Sequence, residues 1–548
     1  MASKSGDRVA QPLQWRSRSP YAMLFRPTKR LATSLALLAC FFTAGLSRAE
    51  EPTVPALTLD EAIQQALTKN YAIRVVSFNA PIARANLTTQ WGRFDPSIQL
   101  SYKFKESGDP QGADPITGAR PPSYIVSTDS YEAGLGGLMP WGLRYTVGLS
   151  TVNQRDSTHD FAHTYYSFTG VTFEQPLLRD FGFGAGLASI RIAKADRAIS
   201  ECEYRQQLTD TITQVIYAYN DLYLAQASLR VARRSRELAA SLLAENERRY
   251  QVGNVAESDV TAAKARVAFR ENSVLSAERS VDAQSNALRL LISDEHTLKL
   301  LSGPIEIAPP PPPAAVTADT AADFREALLA RPDYQRSRIV VQRQRLNRGY
   351  QRNQFLPQVN LVGSYGYHGI GDTWPESRHN MDTRDTRSYS AGAVVTIPLT
   401  FAQERGRLRA ANLQLRQSQA QVEQLEQQIV VDLGNAAAEL TSTQKRMVAA
   451  RLARQAAQQS LDDEIKLHRV GKSSTLFVLQ AQEYLSQAEM LEYAAAADAR
   501  KAVAEYDRQV GRTLKHHGVQ IESTAKSVAV TAVGAGESKA AAPAAPRS

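Results

Sequence analysis

After Pro96 the chain reads SIQLSYKF, in which Ile98, Leu100, Tyr102 and Phe104 alternate with Ser97, Gln99, Ser101 and Lys103. A period of two with one apolar face predicts a strand. QVNLVGSYGY after Pro357 follows the same rule, with Val359, Leu361, Tyr365 and Tyr367 on one face. A further strand closes each excursion, ending at QPL (Pro176) and IPL (Pro398). Helical segments over 59–90 and 321–353 precede these strands, and Thr58 with Glu61 forms a capping box at the start of the first. From Pro176 and from Pro398 a helical stretch of about 65 residues runs to a Val-Gly pair, roughly 100 Å at 1.5 Å per residue. Such a length does not fit inside a globule. In the second stretch Leu415, Val422, Leu425, Ile429, Leu433, Ala436 and Leu440 step by threes and fours, the stripe of a coiled coil. Helices resume beyond Gly253 and Gly471 and must run antiparallel to the first pair, because glycine lets the backbone reverse.

The pattern is written twice. YQVGNVAESDVTAAKA (Tyr250 to Ala265) aligns without a gap on HRVGKSSTLFVLQAQE (His468 to Glu483), GRFDPSIQLSY answers NQFLPQVNLVG, and Pro398 answers Pro176. The expected organisation is a first repeat over 50–302, a proline-rich connector over 303–316 and a second repeat over 317–515. The tail, 516–548, is expected to be disordered for want of a packable pattern. The halves differ in one respect, since the excursion from Pro96 to Pro176 is far longer than that from Pro357 to Pro398. Within the surplus, Tyr131, Ala133 and Leu135 and then Leu143, Tyr145, Val147 and Leu149 alternate with polar or small residues around a turn at Met139 to Gly142. This pattern predicts an extra hairpin and six strands per chain; the other reading is a folded loop outside the wall.

Charge changes the picture little. The formal net charge is +9, but residues 1–49 carry eight of the 64 Lys and Arg and one of the 55 acids, so the rest of the chain is close to neutral and offers no basic domain for nucleic acid. Those 49 residues read as a secretory signal peptide: Arg26, Lys29 and Arg30, an apolar run from Leu31 to Leu46, and Ser47-Arg48-Ala49 as the cleavage site. Leu37 to Cys40 is also a candidate lipoprotein box. Cleavage at Ala49 would leave Cys202 as the one cysteine, too few for an intrachain disulfide or a multi-cysteine metal site. No apolar run of about 20 residues follows the leader, so entry into a membrane requires a closed barrel.

Candidate chemistry is sparse. Gly182, Gly184 and Gly186 have the spacing G-x-G-x-G, not the G-x-G-x-x-G of a dinucleotide fingerprint, and only Gly406 answers them in the second half. They read as hinge material. His159, Asp160 and His163 fall in a polar segment between strands, there is no H-E-x-x-H, and no nucleophile elbow surrounds any serine. No catalytic, cofactor-binding or metal residue is therefore expected.

Five motifs in order, LTLDEAIQQAL, RFDPSIQL with QFLPQVNL, FEQPLLRDFG, RYQVGNVAESDV and HRVGKSSTLFVLQAQ, together with the duplication, resemble the TolC-like outer-membrane efflux proteins. The resemblance implies an α+β membrane protein: a trimeric outer-membrane β-barrel continued by a long periplasmic α-helical coiled-coil tunnel, with two tandem structural repeats per chain. It implies a duct without enzymatic chemistry, the exit of a tripartite efflux pump or type I secretion system. Its partners would be two further copies of the chain, a periplasmic adaptor protein, an inner-membrane transporter and outer-membrane lipid. The adaptor would dock at Val252, Gly253 and Asn254 and at Val470, Gly471 and Lys472. Asp259 would lie at the tunnel tip with Phe477 and Gln480, which stand where some members carry aspartates. Pro96, Pro176, Pro357 and Pro398 would mark the barrel-to-helix joints. A periplasmic coiled-coil scaffold accounts for the helices but not the strands, and an outer-membrane adhesin for both but not for duplication around glycine turns.

Overall fold

The computed structural model describes residues 56–110, 112–113, 115–119, 123–253, 255–301, 305–313, 316–382, 386–470, 472–524 and 527–532. The expected leader and Cys40, together with Asn254, Gly471 and part of the connector, lie outside the described residues.

The chain opens with α1 (Leu59–Lys69), α2 (Tyr71–Ser77) and α3 (Asn79–Trp91). The capping box is present, with the Glu61 backbone N–H donating to Thr58 Oγ1 at 3.3 Å and the Thr58 N–H to Glu61 Oε2 at 3.0 Å. The single helix expected over 59–90 is broken, because Asn70 turns extended (φ −63°, ψ 125°) and its side chain recaps α2 by accepting from the Ala72 and Ile73 N–H groups. The second repeat breaks at the equivalent place. Arg331, which answers Asn70 in the alignment that sets Pro357 on Pro96, has φ −64° and ψ 123°, and Pro332 supplies the next N-terminus.

Four strands follow, β1 (Ser97–Asp109), β2 (Tyr124–Leu138), β3 (Arg144–Asp156) and β4 (Thr164–Pro176). Then come the short α4 (Gly182–Gly186), the 64-residue α5 (Ala188–Gln251) and α6 (Glu257–Ile292). The second repeat supplies α7 (Thr320–Ala330), α8 (Pro332–Gln354), β5 (Gln358–Gly371), α9 (Trp374–Asp382), β6 (Arg387–Thr396), the 68-residue α10 (Ala402–Arg469) and α11 (Thr475–Val510). The six strands form one antiparallel sheet in the order β1-β2-β3-β4-β5-β6. The extra hairpin, β2 and β3 with its turn closed by Gly142 N–H donating to Met139 O at 2.8 Å, is therefore an integral part of the sheet.

The helices form two long hairpins, α5 with α6 and α10 with α11, flanked near the sheet by α3 and α8. Their main apolar core gathers Ala62, Leu208, Ile212, Tyr219, Leu222 and Leu288. Connector residue Ile307 bridges Leu57 there, and the Tyr219 hydroxyl meets the carbonyls of Leu57 at 2.9 Å and Ala308 at 2.7 Å. Among the described residues after 516, an ordered hairpin stands where disorder was expected. Beyond α12 (Thr513–His516), β7 (Val519–Thr524) and β8 (Ser527–Ala532) pair as a hairpin, and Val519 is buried in that core. Val519, Ile521, Val528 and Val530 carry a period-two pattern that the surrounding Ala, Ser and Gly concealed.

The joint between sheet and helices is a fixed corner where a hinge was expected. A Cβ on Gly142 (φ +100°) would lie 2.5 Å from the Asp180 carbonyl oxygen, and one on Gly186 would overlap the Pro140 carbonyl. Asp180, a non-glycine residue at φ 62°, is held by Asn353 Oδ1, which accepts its N–H at 2.8 Å. Gly182 and Gly184, like Gly406 in the second repeat, face open space. Gly186→Val is expected to cost about 1–3 kcal/mol through forced overpacking, whereas Gly184→Ala stays near neutral; thermal unfolding followed by circular dichroism compares the two.

Candidate functional site: the wall and the helical turns

Cross-strand register sorts the sheet into two faces. Ile98, Leu135, Val147, Val171 and Tyr365 form one row, and Leu100, Ala133, Leu149, Thr169 and Tyr367 the next. Ile98 and Leu100 of β1 are 76% and 77% exposed, so among the described residues this apolar face is uncovered at that edge. The opposite face carries Ser101, Glu132, Ser150, Phe168 and His368 in register, with Gln99, Gly134, Gly148, Gly170 and Gly366 below them. Ser101 Oγ donates to Glu132 at 3.1 Å, and Arg144 pairs with Glu174 at 3.4 Å. A Cβ on Gly148 or Gly170 would come within 2.6 Å of a neighbouring strand's carbonyl oxygen, so the polar face is closely packed at these glycines. One apolar and one polar face on a single antiparallel sheet are the pattern of a membrane barrel wall with an aqueous lumen. Tyr102, Tyr145, Tyr365 and Tyr367 share the apolar face by register.

Pro96 and Pro357 immediately precede β1 and β5, Pro176 ends β4, and Pro398 lies two residues beyond β6. All four sit where sheet meets helix. At the other end of the helices Gly253 takes φ +77° and donates its N–H to the Tyr250 carbonyl at 3.0 Å. Lys472 N–H donates to Leu467 O at 3.0 Å in the second turn. Val252 and Val470 are 69% and 67% exposed, and Leu476 and Phe477 are exposed beside them in sequence. Asp259 stands in the first turn of α6, where the helix dipole favours an acid, while Phe477 and Gln480 are on α11, and all three are exposed.

One tie near these turns carried no sequence signal. Arg270 of α6 bonds Glu483 of α11, and Ser235 of α5 meets Ser486 of α11 at 3.0 Å. Burial pushes the Glu483 carboxyl up, but the Arg270 hydrogen bond and charge outweigh it and hold the group below the usual carboxylate range. Neither residue belongs to a motif; the pairing depends on how the two hairpins lie together.

His159 pairs with Asp156 at 2.8 Å and His163 with Asn153 at 3.0 Å, so the polar segment between β3 and β4 binds itself. Among the described residues no group of three or more His, Cys, Asp or Glu could hold a metal ion, and no helix is long and apolar enough to cross a membrane.

A membrane barrel wall continued by long helical hairpins is the architecture of an outer-membrane channel. The chain matches the family model for the outer membrane efflux protein over residues 62–293 and 324–512, and it belongs to that family. The two matched segments correspond to the two repeats. No curated protein matches. Among solved structures the fold is similar to the CmeC outer membrane channel of Campylobacter jejuni (TM-score 0.62, 15% identity, 83% of this chain and 85% of that one). It is also similar to VceC of Vibrio cholerae (TM-score 0.59, 18% identity, 83% and 96%) and to the open state of the MtrE channel of Neisseria gonorrhoeae (TM-score 0.56, 19% identity, 83% and 88%). The protein is thus an outer-membrane efflux channel, with its helices in the periplasm.

Arg270→Gln should loosen α6 from α11, seen as faster amide exchange near 270 and 483 with little change in the sheet. Acid should do the same. A carboxylate whose folded pKa is depressed contributes stability above its unfolded value and loses that contribution as pH falls through the folded one.

Proposed function

We propose that this chain forms a homotrimeric exit duct of a tripartite efflux pump or type I secretion system, taking cargo from a periplasmic adaptor and an inner-membrane transporter to the cell exterior. The observation that carries the reading is the six-stranded sheet with free edges at β1 and β6, set on helices whose far ends expose apolar turns. β1 runs away from the helices and β6 runs back, so β6 of one copy can pair antiparallel with β1 of the next. Three copies give an eighteen-stranded barrel. The family resemblance supports the number three, and Val252, Gly253 and Asn254 with Val470, Gly471 and Lys472 are the surfaces on which an adaptor would dock. The tip, to which Asp259, Phe477 and Gln480 are assigned, would close on apolar contacts more than on a cation-binding ring of acids.

Two measurements test this. Gly253→Pro or Gly471→Pro is expected to abolish export while the protein still reaches the outer membrane, because the changes alter the turns and leave the barrel untouched. Normal export from both at equal surface level removes the docking role. Barrel diameter grows roughly with strand number, so electron microscopy of the purified protein should show a wall of eighteen strands. Twelve strands with residues 131–152 outside the wall would contradict it.

A further inference from the structure

Helix α9 packs on β5 and β4 on the apolar side of the sheet, and its first residue covers a pocket there. The Ser377 hydroxyl meets Ser167 Oγ at 2.9 Å and the Gly369 carbonyl at 3.0 Å, and Asn380 Nδ2 donates to Ile370 O at 2.7 Å. Ser167 and Gly369 belong by register to the same face as Leu100 and Tyr102, the face that points to lipid. A Cβ on Gly371 would stand 2.6 Å from the Ser377 nitrogen, so the helix rests directly on the strand backbone.

Beside it Trp374 roofs a cavity of about 530 Å³ whose lining is mainly Leu100, Tyr131, Ala133, Leu149 and Thr151, with Ser101 and Glu132 also reaching it. The cavity marks a boundary along the strands. Towards the helices the face is apolar; one step beyond it, Asp129 accepts from Tyr102 at 2.9 Å and pairs with Arg155 at 2.7 Å. Charge at that level places it among headgroups, and because the helices are periplasmic, the leaflet is the outer one. Exposed Arg378 lies over Trp374, 5.7 Å from the ring centroid.

We propose that the cavity holds one acyl chain of a phosphate-bearing lipid of the outer leaflet, with Arg378 meeting the phosphate. A cavity open to hydrocarbon is not filled by water, and an empty one forfeits the dispersion contacts of its lining. A chain is the one apolar object at that depth, and an arginine stacked on an interfacial tryptophan supplies the cation that an anionic headgroup needs. The inference depends on the membrane face of the barrel and is independent of adaptor, transporter and cargo.

The test is native mass spectrometry of the full-length protein purified in detergent and titrated with bisphosphorylated lipid A, its dephosphorylated form, or phosphatidylcholine. The wild-type protein should retain the bisphosphorylated lipid preferentially. Ala133→Trp fills the cavity and should abolish retention, and Trp374→Ala, which removes the roof, should do so without adding bulk. Arg378→Gln should weaken binding of the bisphosphorylated lipid about tenfold, the scale of one charge-assisted hydrogen bond, and leave the dephosphorylated lipid unchanged. Unchanged retention by Ala133→Trp and Trp374→Ala overturns the cavity as the site. Equal retention of all three lipids by the wild-type protein, or an unaltered preference in Arg378→Gln, overturns the phosphate contact.

Discussion

The structure depends on the open edges of one sheet. β1 is a 13-residue strand whose outer side has no partner among the described residues, and β6 is the other edge. In hydrocarbon each unpaired backbone group costs several kcal/mol, so an open edge of that length would cost more than the about 5–15 kcal/mol that keeps a domain folded. The sheet must therefore close. With an even number of strands, its two edges run in opposite directions, and copies of the chain can close it in antiparallel order without a mismatched seam. The helices inherit that arrangement, since each pair of long helices leaves the barrel from strands already fixed in the ring.

The joint transmits that order. Gly142 and Gly186 let the β2–β3 turn, Asp180 and α4 approach to contact, and Asn353 of α8 ties Asp180 to the second repeat. A corner fixed this way sets the direction of α5 rather than letting it swing. At the far end, ties such as Arg270 with Glu483 join one hairpin to the other.

Much of this was legible in the sequence because membrane walls and long hairpins are periodic. Ile98 to Phe104 and Leu143 to Leu149 announce strands by alternation, and the Val-Gly pairs announce turns by recurring in both halves. What stayed hidden was settled by contacts remote in sequence. Asn70 breaks a helical pattern because its side chain caps the next helix and donates to the Leu291 carbonyl at 2.9 Å. α9 lies on Gly369 and Gly371, whose missing side chains admit it, and nothing in WPESRHNMD names that partner. The tail hairpin was lost in a composition that resembles disorder.

Closure by copies of the same chain is the central claim, and disulfide trapping in intact outer membranes tests it most directly. In a Cys202→Ser background, cysteines are placed in turn at Ile98, Leu100 and Tyr102 of β1, each with a cysteine at Ala393 of β6, and oxidised. At least one pairing should give a covalent ladder of dimer and trimer that stops at three. Monomer alone from every pairing, or a ladder that continues past three, would contradict it.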